Sequence, residues 1–154
     1  MEDDIRELYQ EVILDHGKNP RNFRHPEDAT YEADGNNPLC GDRLTVFVKV
    51  GGDESIEDAA FEGRGCAISV ASASMMTDIV RGKKVTQVDA LFDTFHKMCM
   101  GEEIGETPEE FKDDLDKLMV LSGVKQFPMR VKCATLAWHT MNAAVHGEEA
   151  ASTE

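Results

Sequence analysis

The spacing of apolar residues changes period along this chain. Residues 3–16 place Ile5, Leu8, Tyr9, Val12 and Ile13 at i, i+3, i+4, i+7 and i+8, the stripe of an amphipathic helix that Gly17 and Pro20 end. Lys18 to Asp28 is polar, carries two prolines and reads as a loop. Ala29–Asp34 suggests a short strand, followed by a turn at Gly35-Asn36-Asn37-Pro38. From Leu44 to Val50 the period falls to two, with Leu44, Val46, Val48 and Val50 on one face and Thr45, Phe47 and Lys49 on the other. Gly51-Gly52-Asp53 turns the chain, and Ser55–Glu62 returns as a weaker strand. The pattern predicts three antiparallel strands with one face open to helices.

Beyond Cys66 the helical period returns. Ala67–Arg81 is rich in Ala, Ser and Met and stops at Gly82, a residue suited to the left-handed position after a helix. Thr86 is the expected cap of a helix through Met98, with Val88, Leu91, Phe92 and Phe95 as its apolar positions. Thr107-Pro108-Glu109-Glu110 has the form of a capping box and predicts a helix to about Leu121. Pro128 opens a last helix through about His146, closed by Gly147. Residues 148–154 are expected to fray. Strands first and helices after define an α+β class, a small three-stranded antiparallel sheet packed against several helices, in one domain over residues 1–147.

Composition narrows the function classes. The 154 residues are 41% apolar and 30% charged, as in an ordinary globular domain, and no apolar run approaches membrane-spanning length. The net charge of −14 argues against nucleic-acid binding, which is driven by Lys and Arg. It suits docking to a basic protein face, and equally suits solubility or a salt-rich cytoplasm. The acidic start, Met1-Glu2-Asp3-Asp4, resembles neither a secretory signal nor a transit peptide, so a cytoplasmic location is expected.

In that setting the four cysteines, Cys40, Cys66, Cys99 and Cys133, suggest metal binding or catalysis before disulfides. Cys40 and Asp42 flank Gly41, so a thiolate and a carboxylate can face one centre; Asp42 reads equally as a turn residue bonding nearby amides. Cys66 follows Gly63-Arg64-Gly65 and precedes a helix, whose free amides favour a thiolate; it also reads as a small residue filling a corner. Cys133 has Arg130 and Lys132 nearby, cations that favour its thiolate, although Arg130 also suits a surface salt bridge. Cys99 follows Phe95-His96-Lys97-Met98 without a glycine turn or paired acid and reads as a half-buried helix residue. The histidines show no paired metal-ligand spacing, and the sequence holds no phosphate-binding glycine loop.

Three stretches are more specific together than alone: Asn37-Pro38-Leu39-Cys40-Gly41-Asp42, Gly65-Cys66-Ala67-Ile68-Ser69, and Arg130-Val131-Lys132-Cys133-Ala134-Thr135-Leu136-Ala137-Trp138. In this order, and with Asp15-His16 and Asn19-Pro20-Arg21-Asn22 before them, the chain resembles the U-type iron–sulfur cluster assembly proteins, the IscU/NifU N-terminal superfamily. The Isc-type branch has histidine before the third cysteine, where this chain has Lys132, and a shorter stretch between Gly82 and Gln126. Both departures resemble the SUF-type branch of SufU-like proteins.

The resemblance implies a SufE/NifU-like fold and zinc held by Cys40, Asp42, Cys66 and Cys133. It implies a zinc-dependent sulfurtransferase in iron–sulfur cluster biogenesis, with Cys40 accepting persulfide sulfur and Arg130 near the site. The implied donor is a pyridoxal-phosphate cysteine desulfurase of the SUF type, and downstream SUF assembly or recipient proteins follow. The alternative is a scaffold whose same four residues hold an iron–sulfur cluster; a purely structural zinc protein is a third reading.

Overall fold

The computed structural model describes residues 2–38, 41–148 and 150–152, with side chains from Gln10 to Ala151. Helix α1 (Glu2–Lys18) precedes strands β1 (Tyr31–Asn37), β2 (Asp42–Val50) and β3 (Ile56–Arg64). Helices α2 (Ala67–Val80) and α3 (Val85–Met100) follow; a 3₁₀ turn at Glu109–Phe111 then leads into α4 (Lys112–Leu118). A longer 3₁₀ segment (Met119–Gln126), α5 (Pro128–Val145) and β4 (Ala150–Ser152) complete the chain. The expected α+β architecture is present, with helices laid against a sheet of order β3-β2-β1-β4.

The alternation in β2 does what its period implies. Leu44, Val46 and Val48 are buried, and with Ala33, Ala59 and Phe61 they floor the core beneath α2 and α5. Phe47, on the opposite face, is buried as well, under the His25 ring stacked on it at 4.3 Å. At the centre lies Trp138 of α5, fully buried against Phe92 and Phe95 of α3.

Four expectations are corrected. The turn predicted at Gly35-Asn36-Asn37 is strand, because these residues pair with Leu44, Arg43 and Asp42 of β2. Ladder bonds and the contact of Gly35 with Thr140 and Leu136 of α5, where a side chain would not fit, outweigh the local turn preference. Thr86 lies inside α3; the cap position is Lys84, whose N–H donates to the Gln87 Oε1 at 2.8 Å. Instead of one helix from Thr107 to Leu121, Pro108 starts a 3₁₀ turn and the α-helical part is only Lys112–Leu118. In the expected frayed tail, Ala150–Ser152 runs parallel to β1 as a fourth strand, which the antiparallel three-strand expectation did not include. Glu149, Thr153 and Glu154 lie outside the described residues.

The helix ends at Gly82 and Gly147 stand as expected, both glycines at positive φ (85° and 76°), and α5 starts at Pro128. Of the α1 stripe, Val12 and Ile13 are half-buried; the side chains of Ile5, Leu8 and Tyr9 lie outside the described residues. No helix among the described residues is long and apolar enough to cross a membrane.

Candidate metal centre

The site forms where one end of the sheet meets the starts of two helices. Asn37 closes β1 and Asp42 opens β2, and the two are direct partners across the ladder. Both belong to the face turned toward the helices, and both are fully buried. Cys66 occupies the cap position of α2, and Cys133 lies in the second turn of α5, fully buried. Parts of the chain nearly 100 residues apart thereby converge: Asp42, Cys66 and Cys133 bring a carboxylate oxygen and two sulfurs within 4.8 Å of one another.

Hydrogen bonds fix this arrangement from inside. The backbone N–H of Cys66 donates to the Asp42 Oδ1 at 3.0 Å. Asn37 Nδ2 donates to the Asp42 Oδ2 at 3.2 Å and to the Cys133 Sγ at 3.8 Å. A Cβ at position 65 would come within 2.6 Å of the Asp42 Oδ1, so Gly65 is the residue that lets the β3–α2 link close over the carboxylate. Two polar atoms here, the Asn37 Oδ1 and the Ser69 Oγ, are buried without a hydrogen-bond partner among the described residues. Each such atom costs about 1–3 kcal/mol, a cost that folded proteins tend to keep at sites of function.

The Cys66 thiol is pushed down to about 6, first because the Cys133 side chain hydrogen-bonds to its sulfur. Burial opposes the shift, the backbone N–H groups of Ser69 and Ile68 at the start of α2 reinforce it, and the Asp42 charge opposes it. The thiolate therefore dominates above pH 6 and is lost as the pH falls through that value. Cys99 is the opposite case: burial alone pushes its thiol up to about 12, in keeping with its reading as a helix residue outside the site.

A testable difference follows for metal-free protein. Alkylation of Cys66 by iodoacetamide is expected to rise through half its maximum near pH 6, while Cys99 stays unmodified to above pH 9. Peptide mass mapping across pH 4–9 reads both; a Cys66 midpoint above pH 8, the range of a free thiol, would contradict the thiolate assignment.

The donor set fits a thiophilic cation. Zinc takes thiolates at about 2.3 Å and carboxylate oxygen at about 2.0–2.2 Å in a tetrahedron, which keeps ligand atoms roughly 3.5–4 Å apart. The spread within 4.8 Å accommodates that, and the low Cys66 value lowers the cost of the thiolate that a metal requires. Three of the four ligands expected from the sequence are thus gathered. The fourth, Cys40, lies outside the described residues. Arg130, also expected near the site, is exposed one helical turn before Cys133. Asn37 is not among the ligands expected from the sequence; its place in the motif ending at Asp42 is the sequence signal for it.

The chain as a whole is similar to known proteins. Residues 8–134 match the family model described as "NifU-like N terminal domain". The zinc-dependent sulfurtransferase SufU of Bacillus subtilis is 44% identical over 92% of this chain and 92% of its own length. The iron–sulfur cluster assembly scaffold protein IscU of Streptococcus pyogenes is 42% identical over 92% of this chain and 84% of its own. A solved structure from Fervidobacterium islandicum AW-1, assigned as an iron–sulfur cluster assembly scaffold protein for the SUF system, superposes with a TM-score of 0.78. It is 32% identical, with 91% of this chain and 98% of that one covered.

Proposed function

The chain belongs to the family of NifU-like N-terminal domains, the iron–sulfur cluster assembly scaffold and SufU group, and from that premise we propose that it is a zinc-dependent sulfurtransferase. In this reading it accepts sulfur from a cysteine desulfurase and passes it to downstream SUF assembly or recipient proteins. The observation that carries the proposal is the convergence of Asp42, Cys66 and Cys133 within 4.8 Å. Cys40, two residues before Asp42, completes the ligand set. Zinc bound by these four residues supplies Lewis acidity that keeps its sulfur ligands deprotonated at neutral pH.

The protein's own residues divide the work. Cys66 and Cys133 anchor the centre, one at a helix cap and one inside the core. Asp42 contributes the single oxygen, held by two N–H donors. Cys40, as a thiolate, attacks the outer sulfur of the desulfurase persulfide. The S–S bond to the desulfurase cysteine breaks, that cysteine leaves as a thiolate, and Cys40 carries the persulfide with no net oxidation or reduction. Arg130, on the exposed first turn of α5, supplies positive charge toward the incoming persulfide.

A second reading uses the same four residues to hold an iron–sulfur cluster, and the 42% identity to a protein named as a scaffold favours it. Lys132, where the Isc-type scaffold carries histidine, favours sulfur transfer. One experiment separates them. Zinc-loaded protein is mixed with its cognate desulfurase and cysteine, and peptides are weighed. The expected result is one added sulfur atom on the Cys40 peptide, removed by reductant, with faster desulfurase turnover; Cys40→Ala loses both. No added sulfur, together with a stable cluster after anaerobic reconstitution, would replace this proposal by the scaffold reading.

A further inference from the structure

We infer that Asn37 is a positioning residue of the metal centre, one amide group that holds the Asp42 carboxylate and the Cys133 sulfur together at the spacing a cation needs. The inference rests on the proposed metal-binding role of Asp42, Cys66 and Cys133 and adds a residue that is not itself a ligand. Asn37 is fully buried, as are Asp42 and Cys133. Its Nδ2 lies 3.2 Å from the Asp42 Oδ2 and 3.8 Å from the Cys133 Sγ, so one NH₂ group donates to two ligand atoms. These two atoms come from β2 and α5, so one amide group bridges a strand and a helix at the site.

The orientation of the amide supports this. Turned the other way, the Asn37 Oδ1 would face a carboxylate and a sulfur, both electron-rich, and repel both. In the observed orientation the Oδ1 has no partner among the described residues. Among the described residues a buried acceptor goes without a partner while the NH₂ group reaches two ligand atoms, a choice that core packing alone does not explain. The strand position does explain how it is achieved: Asn37 is the ladder partner of Asp42, so β pairing fixes the distance between the two side chains.

A donor to a coordinating sulfur or carboxylate orients the ligand and shares its charge; removing such an outer partner usually costs 10- to 100-fold in metal affinity. Asparagine suits the role better than aspartate, which would add a further negative charge beside Asp42 and Cys133 and offer no donor at neutral pH. It also suits it better than leucine, which has similar volume but no polar atom.

The test compares zinc affinity, by competition with a chromophoric chelator, among wild type, Asn37→Leu, Asn37→Asp and a control. The control is Ser72→Ala, which removes the buried bond from the Ser72 Oγ to the Ala134 carbonyl between α2 and α5 without touching a ligand. Both Asn37 variants are expected to weaken zinc about 10- to 100-fold, and Ser72→Ala less than threefold. In the cobalt-substituted Asn37 variants, the sulfur-to-cobalt charge-transfer band is expected to move to lower energy, since a sulfur without its N–H donor is the better electron donor. Loss of stability alone would not move that band.

Where a variant does not fold, ¹⁵N-labelled wild type gives the answer. Addition of zinc is expected to shift the side-chain amide resonances of Asn37. Wild-type affinity in both variants with an unmoved band, or unshifted Asn37 resonances, would overturn the inference. A wild type that binds no zinc would instead overturn the metal-binding proposal on which it rests.

Discussion

Cys133→Ser is expected to strip the metal from the protein while leaving the domain folded. Cys133 is fully buried in the second turn of α5, so serine fills nearly the same space. What changes is the donor. A serine hydroxyl stays protonated at neutral pH and is a poor partner for a thiophilic ion, so one of four ligands and one negative charge are lost. If the ligands share the roughly 10–16 kcal/mol typical of thiolate zinc sites, losing one weakens binding on the order of 100- to 1000-fold. Chelator competition measures the loss, and far-UV circular dichroism checks the fold. Cys99→Ser serves as the comparison: Cys99 is equally buried but lies outside the cluster, so full zinc retention is expected there. Equal retention in both variants would remove Cys133 from the ligand set.

The largest stability effect is expected at Trp138. Its ring is fully buried, stacked near Phe92 at 6.4 Å and tilted against Phe95 at 5.1 Å, and it joins α5 to α3 at the centre of the core. Trp138→Ala leaves a cavity that neither helix can easily close and should cost about 3–5 kcal/mol, against a total of about 5–15 kcal/mol for a typical domain. For a chain of this length that lowers Tm by roughly 6–20 °C. Trp138→Phe should cost less than half as much. It keeps an aromatic ring in place and also removes the indole N–H, which is buried without a partner among the described residues. Calorimetry of the zinc-loaded variants reads the ranking; similar Tm values for Trp138→Ala and wild type would contradict the placement of this ring at the core.

Much of this architecture could be read from the chain because local and tertiary preferences agree. Leu44, Val46 and Val48 alternate in sequence and line one buried face in the fold. Gly82, Gly147 and Pro128 mark helix boundaries through backbone rules that hold regardless of context. Where the two levels conflict, the sequence misled. Gly35-Asn36-Asn37 has the composition of a turn, yet pairing with β2 and the close approach of α5 extend the strand through it. Ala150–Ser152 has no pattern of its own and becomes a strand only because β1 offers an edge. Phe47 belongs to the solvent face by alternation and is buried by His25, a residue from a loop that periodicity does not place.

The site was legible for a different reason. Cys66, Asp42 and Cys133 were picked out by chemistry and by motifs, not by periodicity, and the fold brings them together. Asn37 is harder to single out from sequence, because its place opposite Asp42 depends on a strand extension through residues of turn composition. An amide has no titratable signature, and only its register opposite Asp42 and its reach to Cys133 reveal what it does.

The proposed centre is built from three sulfurs and one oxygen, including the sulfur of Cys40. It is tested most directly by X-ray absorption at the metal edge of protein purified without added metal. The account predicts zinc with three sulfur neighbours at about 2.3 Å and one oxygen at about 2.0 Å, falling to two sulfurs in Cys40→Ala. No bound metal, a shell containing histidine nitrogen, or three sulfurs retained in Cys40→Ala would contradict it.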